Sequence, residues 1–136
     1  MVRTTLLLSV LLLAPSAVAG LFGGNDAPGR IPVPARDFEA VIEDRGGVRT
    51  SLQRVSFDGE VYLFGKLGAA QVTVPFEEID VVRFEPTDDP DEVTAAVTTV
   101  AGEAVRIRVE ADRPVFGRTH FGNFRIEASD IRQLDL

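Results

Sequence analysis

Phe116-Gly117-Arg118-Thr119-His120-Phe121-Gly122-Asn123-Phe124-Arg125-Ile126-Glu127-Ala128-Ser129-Asp130-Ile131-Arg132-Gln133-Leu134-Asp135-Leu136 lies without a gap on Phe64 to Phe84, at an offset of 52 residues. Phe64/Phe116, Gly65/Gly117 and Ile79/Ile131 are identical. Lys66/Arg118, Gln71/Asn123, Val72/Phe124, Val74/Ile126, Glu78/Asp130, Val82/Leu134 and Phe84/Leu136 are conservative. Most of these matches are apolar positions at alternating spacing, so the stretch is a folding unit before it is a signature of chemistry.

Upstream the correspondence continues at an offset of 55, with Gly102 on Gly47. Phe38, Ala40 and Ile42 share one face of a strand, and Asp44-Arg45-Gly46-Gly47 turns it. Val48, Thr50 and Leu52 line one face of the next strand; after Arg54 the parity passes to Val55 and Phe57, which predicts a β-bulge near Gln53-Arg54. Asp58-Gly59 predicts a hairpin between residues 55–57 and 61–64. Pro75 has no N–H and marks the end of a strand or a sheet edge. Phe76 to Ile79 has the length of one 3₁₀ turn. Asp89-Pro90-Asp91-Glu92 would start a helix, but the β-branched run Val93 to Val100 and its place opposite Phe38 to Asp44 predict a strand. Val105, Ile107, Val109 and Ala111 then alternate with Arg106, Arg108 and Glu110.

The expected fold is therefore all-β. Repeat one spans 37–86 and repeat two 92–136 within a β domain at 37–136. Each half has about 45 residues, too few to bury an independent core. The two tandem repeats are expected to pack about a pseudo-twofold axis as one compact β-sandwich or barrel.

Ahead of the domain, Arg3, the apolar run Leu6 to Leu13 and Ala17-Val18-Ala19 read in order as a signal peptide at 1–19. Residues 20–36, rich in Gly and Pro, read as a flexible linker. The mature chain is expected outside the cytoplasm, periplasmic or secreted, with no stable membrane span after cleavage. The formal charge is −7 for the whole chain. That balance argues against nucleic acid as a partner. With no cysteine, disulfides, thiolate metal sites and thiol nucleophiles are excluded.

Little else carries chemistry. His120 is the sole histidine, and Ser129-Asp130 beside it forms no nucleophile elbow. A small hydrolase using His120 or paired carboxylates is one alternative; with no Trp and one Tyr, the aromatic platform of a sugar site is thin. Asp88, Asp89 and Asp91 offer hard oxygen ligands and make a calcium-stabilised domain the other alternative, set against a simple solvated linker. No cofactor motif is present. The doubled Phe-Gly-Lys/Arg corner is what packing leaves over. Gly65 and Gly117 predict a bulge or close backbone approach, and they, with Lys66, Arg118 and, nearby, His120, are the binding candidates. The expectation is a non-catalytic module that binds a protein or cell-envelope component. Export is checked by N-terminal sequencing of the protein recovered from its native envelope, where Gly20 is the expected first residue.

Overall fold

The computed structural model describes residues 28–136. The leader and the start of the linker lie outside the described residues. Ten strands follow in chain order: β1 (Ala40–Asp44), β2 (Arg49–Phe57), β3 (Tyr62–Leu67), β4 (Ala70–Pro75), β5 (Ile79–Pro86), β6 (Glu92–Thr99), β7 (Ala104–Glu110), β8 (Pro114–Thr119), β9 (Gly122–Glu127) and β10 (Ile131–Asp135). Two 3₁₀ turns, Phe76–Glu78 and Ala128–Asp130, precede β5 and β10. The strands form one antiparallel sheet in the order β4-β3-β7-β6-β5-β10-β1-β2-β8-β9. The sheet curls into a half-barrel. The expected all-β class holds; of the expected sandwich or barrel, the sheet forms a half-barrel only. The layers are not separate, and the outermost strands β4 and β9 do not meet, so two free edges remain.

Residues 92–99 are strand, not helix, with Val93, Ala95 and Val97 on the buried face. The bulge also forms. Arg54 takes φ 51°, and the register between β2 and β8 shifts between Gln53 and Ser56. Val48, expected inside, is exposed at the β1–β2 turn. The Asp58-Gly59 turn closes as read, with Phe57 and Glu60 exchanging backbone hydrogen bonds, but it starts no hairpin. The reason is competition for edges. Val55 N–H already donates to Phe38 C=O on one side of β2, and Phe57 pairs with Val115 of β8 on the other. After one isolated bridge, β3 has no free edge of β2 to follow. It crosses to β7 instead, pairing at Lys66–Arg108.

The pairing scheme has a regularity. Replacing each strand by the one five places on reverses the sheet order onto itself. The residue registers obey the two sequence offsets as well. Ile42–Leu134 corresponds to Val97–Val82, Ala40–Leu52 to Ala95–Ile107, and Tyr62–Pro75 to Pro114–Glu127. At the centre, Val82 faces Leu134. Turn hydrogen bonds match too: Gly47 N–H to Asp44 C=O corresponds to Gly102 N–H to Thr99 C=O.

The core lies on the inner face of the curl. Ile42, Leu52, Phe57, Leu63, Val82, Phe84, Ile107 and Leu134 are each about fully buried. Phe76 and Ala128 of the two 3₁₀ turns join the same cluster. Among the described residues no helix is long and apolar enough to cross a membrane.

The crossing strands need glycine. A Cβ on Gly65 would overlap the backbone carbonyl oxygen of Arg108, whereas one on Gly117 would meet only the Leu52 side chain, at 3.0 Å. Backbone cannot yield as a leucine rotamer can. Gly65→Ala should therefore cost about 1–3 kcal/mol of stability, and Gly117→Ala clearly less, in chemical denaturation.

Candidate functional site

The two halves differ where β2 and β7 end. β2 runs on past its bulge, and its Ser56 and Phe57 pair with Phe116 and Val115 of β8. The corresponding end of β7 stops at Glu110 and turns away. The notch between β7 and β3 is therefore unfilled. A groove of about 630 Å³ occupies it, extending over the outer face of β3 to Gln71 and Thr73 on β4.

β3 carries the groove through its alternate residues. Leu63 points into the core, so Tyr62, Phe64 and Lys66 face the groove with Glu60 preceding them. Phe64 stacks edge-on against the buried Phe57, ring centroids 5.0 Å apart, and Tyr62 packs edge-on against Phe64 at 5.9 Å. The Arg113 guanidinium lies over the Phe64 ring, 4.7 Å from its centroid. Asp58 (2.8 Å) and Glu110 (2.6 Å) hold it there. Arg108 donates to Gly68 C=O at 3.2 Å and has Glu92 at 3.7 Å. Lys66 is different. Among the described residues no carboxylate lies within ion-pair distance of it.

The edge beside the groove is fixed in phase. Phe76 N–H donates to Val61 C=O. In an antiparallel ladder every second residue then bonds inward, so Val74 and Val72 bond β3 while Gln71, Thr73 and Pro75 face out. Gln71 and Thr73 each leave an N–H and a C=O to solvent. β4, Ala-Gln-Val-Thr-Val-Pro, has no charge. The opposite edge has the same phase, set by Ala128 N–H to Arg113 C=O. There Asn123, Arg125 and Glu127 face out, and Arg125 pairs with Glu127 at 3.6 Å.

Of the residues singled out in the sequence, Gly65 and Lys66 belong to this groove. Arg118 and His120 lie elsewhere, lining a second hollow with Ser51 and Asp135. His120 sits exposed on the β8–β9 turn with its ring edge-on to Phe121. Among the described residues no hydrogen bond links it to Ser51 or Asp135. Asp89 Oδ1 accepts from Asp91 N–H at 2.9 Å, capping its own loop. Among the described residues, Asp88, Asp89 and Asp91 included, no three His, Cys, Asp or Glu side chains converge on a metal position. Glu60, Tyr62 and Arg113 were not singled out. Their signal was the three-residue shortening of the second half, from offset 55 to 52, which leaves the notch open.

A family model described as "Uncharacterised protein" matches residues 34–136. The chain belongs to this family. The matched span contains all ten strands, the groove and both sheet edges. No curated protein and no solved structure matches the chain.

Partial burial, and after it the Glu60 carboxylate, raises the Tyr62 phenol above its usual range. Both causes disfavour the phenolate. Tyr62 is the only tyrosine, so ultraviolet titration reads it alone. Its midpoint is expected above about 10, the ordinary tyrosine value. Glu60→Gln removes the negative neighbour and should lower the midpoint without restoring it fully, because the burial stays.

Proposed function

We propose that this chain is an exported, non-catalytic β module that binds an extended segment of a protein or envelope component along the outer edge of β4. The observation that carries the reading is the chemistry of that edge. Exposed strands are ordinarily guarded by charges, bulges or cover against pairing with other chains. β9 follows that rule through Arg125 and Glu127. β4 follows it only at its end, where Pro75 blocks one outward position: the rest of this uncharged strand still offers the free backbone groups of Gln71 and Thr73. Main-chain pairing supplies affinity in strand addition, and adjoining side-chain pockets supply selectivity. The groove opens beside this edge and holds two aromatic rings and the one lysine.

The same reading takes the two halves as tandem copies of one β unit. The shared registers, the paired 3₁₀ turns and the glycine at each crossing support it. On this view the β8–β9 hairpin docks at a filled junction and ends in a charged edge. The β3–β4 hairpin docks at a notch and ends in an open edge. Binding arises from the difference between the copies, not from their likeness.

Thr73 and Arg125 occupy equivalent outward positions on the two edges, so proline at each makes a matched pair. Thr73→Pro removes an N–H needed for strand addition and is expected to abolish capture of the native envelope partner. Arg125→Pro should leave capture intact. Thermal melts establish that both variants fold, and equal capture by the two would sink the proposal.

A further inference from the structure

The groove has a polarity that specifies the ligand's charge order. Glu60, Tyr62, Phe64 and Lys66 succeed one another at every second residue and all line it. The other cations there are already neutralised: Arg113 by Asp58 and Glu110, Arg108 by Glu92. Among the described residues, neither Lys66 nor Glu60 has an ion-pair partner. The row therefore runs from a carboxylate without a counter-ion, over two half-buried rings, to an ammonium without one. Gln71 and Thr73, in register with Lys66 and Phe64, are uncharged and do not screen it.

We infer that the site takes a strand segment in the order basic, apolar, apolar, acidic, read at every second residue from its N-terminal end. The direction follows from pairing. Antiparallel addition is the more stable mode. A segment antiparallel to β4 runs parallel to β3, since β3 and β4 are themselves antiparallel. Its first outward-facing residue then meets the Glu60 end and its last meets Lys66. Matching charges at both ends add attraction, and the reversed order sets like charges together at both, which separates right from wrong partners more sharply than attraction alone. This inference rests on the strand-addition reading and deepens it.

The test uses two synthetic strand peptides of identical composition. One has lysine six positions before glutamate with valines at the two intervening same-face positions; the other exchanges the lysine and the glutamate. Binding of each to the full chain is followed by fluorescence anisotropy at low salt. The lysine-first peptide is expected to bind about tenfold more tightly, the scale of two exposed ion pairs made against two repelled. A chain carrying Glu60→Lys and Lys66→Glu together, both on the groove rim, should reverse the preference. Equal binding of the two peptides, or an unchanged preference in the swapped chain, overturns the polarity while strand addition stands. Binding of neither peptide overturns both.

Discussion

Val82 of β5 and Leu134 of β10 face each other at the middle of the sheet, and both are fully buried. Everything on either side follows from that pairing. It places the last strand of each half at the centre, so the chain's C-terminal segment is interior ladder. It also leaves the β3–β4 hairpin with no edge of its own half to join. β2 is flanked by β1 and β8, and β7 by β6 and β3. The hairpins are thereby exchanged: β3 docks on β7, and β8 docks on β2. Neither half's inner face is complete without the other's hairpin. A unit of about 45 residues cannot bury a sufficient core alone, and exchange is how two such units share one.

The exchange also explains why the glycines at the corners are not interchangeable with alanine. At Gly65 the crossing brings the backbone of Arg108 against the Cα, and at Gly117 it brings Leu52. These are the same crossing seen from the two halves. They differ because Arg54, with φ 51°, extends β2 along β8, while β7 ends early. One extra run of strand thus decides which junction is filled. The filled one is part of the core through Val55 and Phe57. The open one exposes Tyr62 and Phe64 under the rim of Arg113.

Surface charge plays a supporting part. Arg49 and Arg132 both reach Glu43, and Arg36 reaches Glu77, in pairs that stay largely in water. Such pairs contribute at most about 1 kcal/mol each and do not hold the fold. Their relevance is selective. They engage Arg36, Arg49 and Arg132, whereas Lys66 at the groove has no carboxylate partner among the described residues. Half-buried Arg45 shows the other use of a cation here. It donates to the carbonyls of Phe84 and Ser129, tying the β1–β2 turn to β5 and to the 3₁₀ turn before β10 through main-chain oxygens.

Local pattern determined most of the strands, the 3₁₀ turn at Phe76, the bulge at Arg54 and the edge role of Pro75, while β6 was decided against a local helix start by its match to Phe38–Asp44. All but β6 follow from side-chain alternation or a backbone property of one residue, and both act over a few neighbours. The alignment of Phe64–Phe84 with Phe116–Leu136 also carried the equivalence of Gly65 with Gly117 and of Lys66 with Arg118. Pattern could not determine which strands pair. Asp58-Gly59 makes the same tight turn whether or not a hairpin follows, and only competition for the edges of β2 decides against one. For that reason the sheet forms a half-barrel only, and Lys66 parted from Arg118 and His120 into a different groove. The site itself is a by-product of that choice. Glu60, Tyr62 and Arg113 lie in one groove because β3 crosses to β7, and edge competition between strands distant in the chain is settled only in three dimensions.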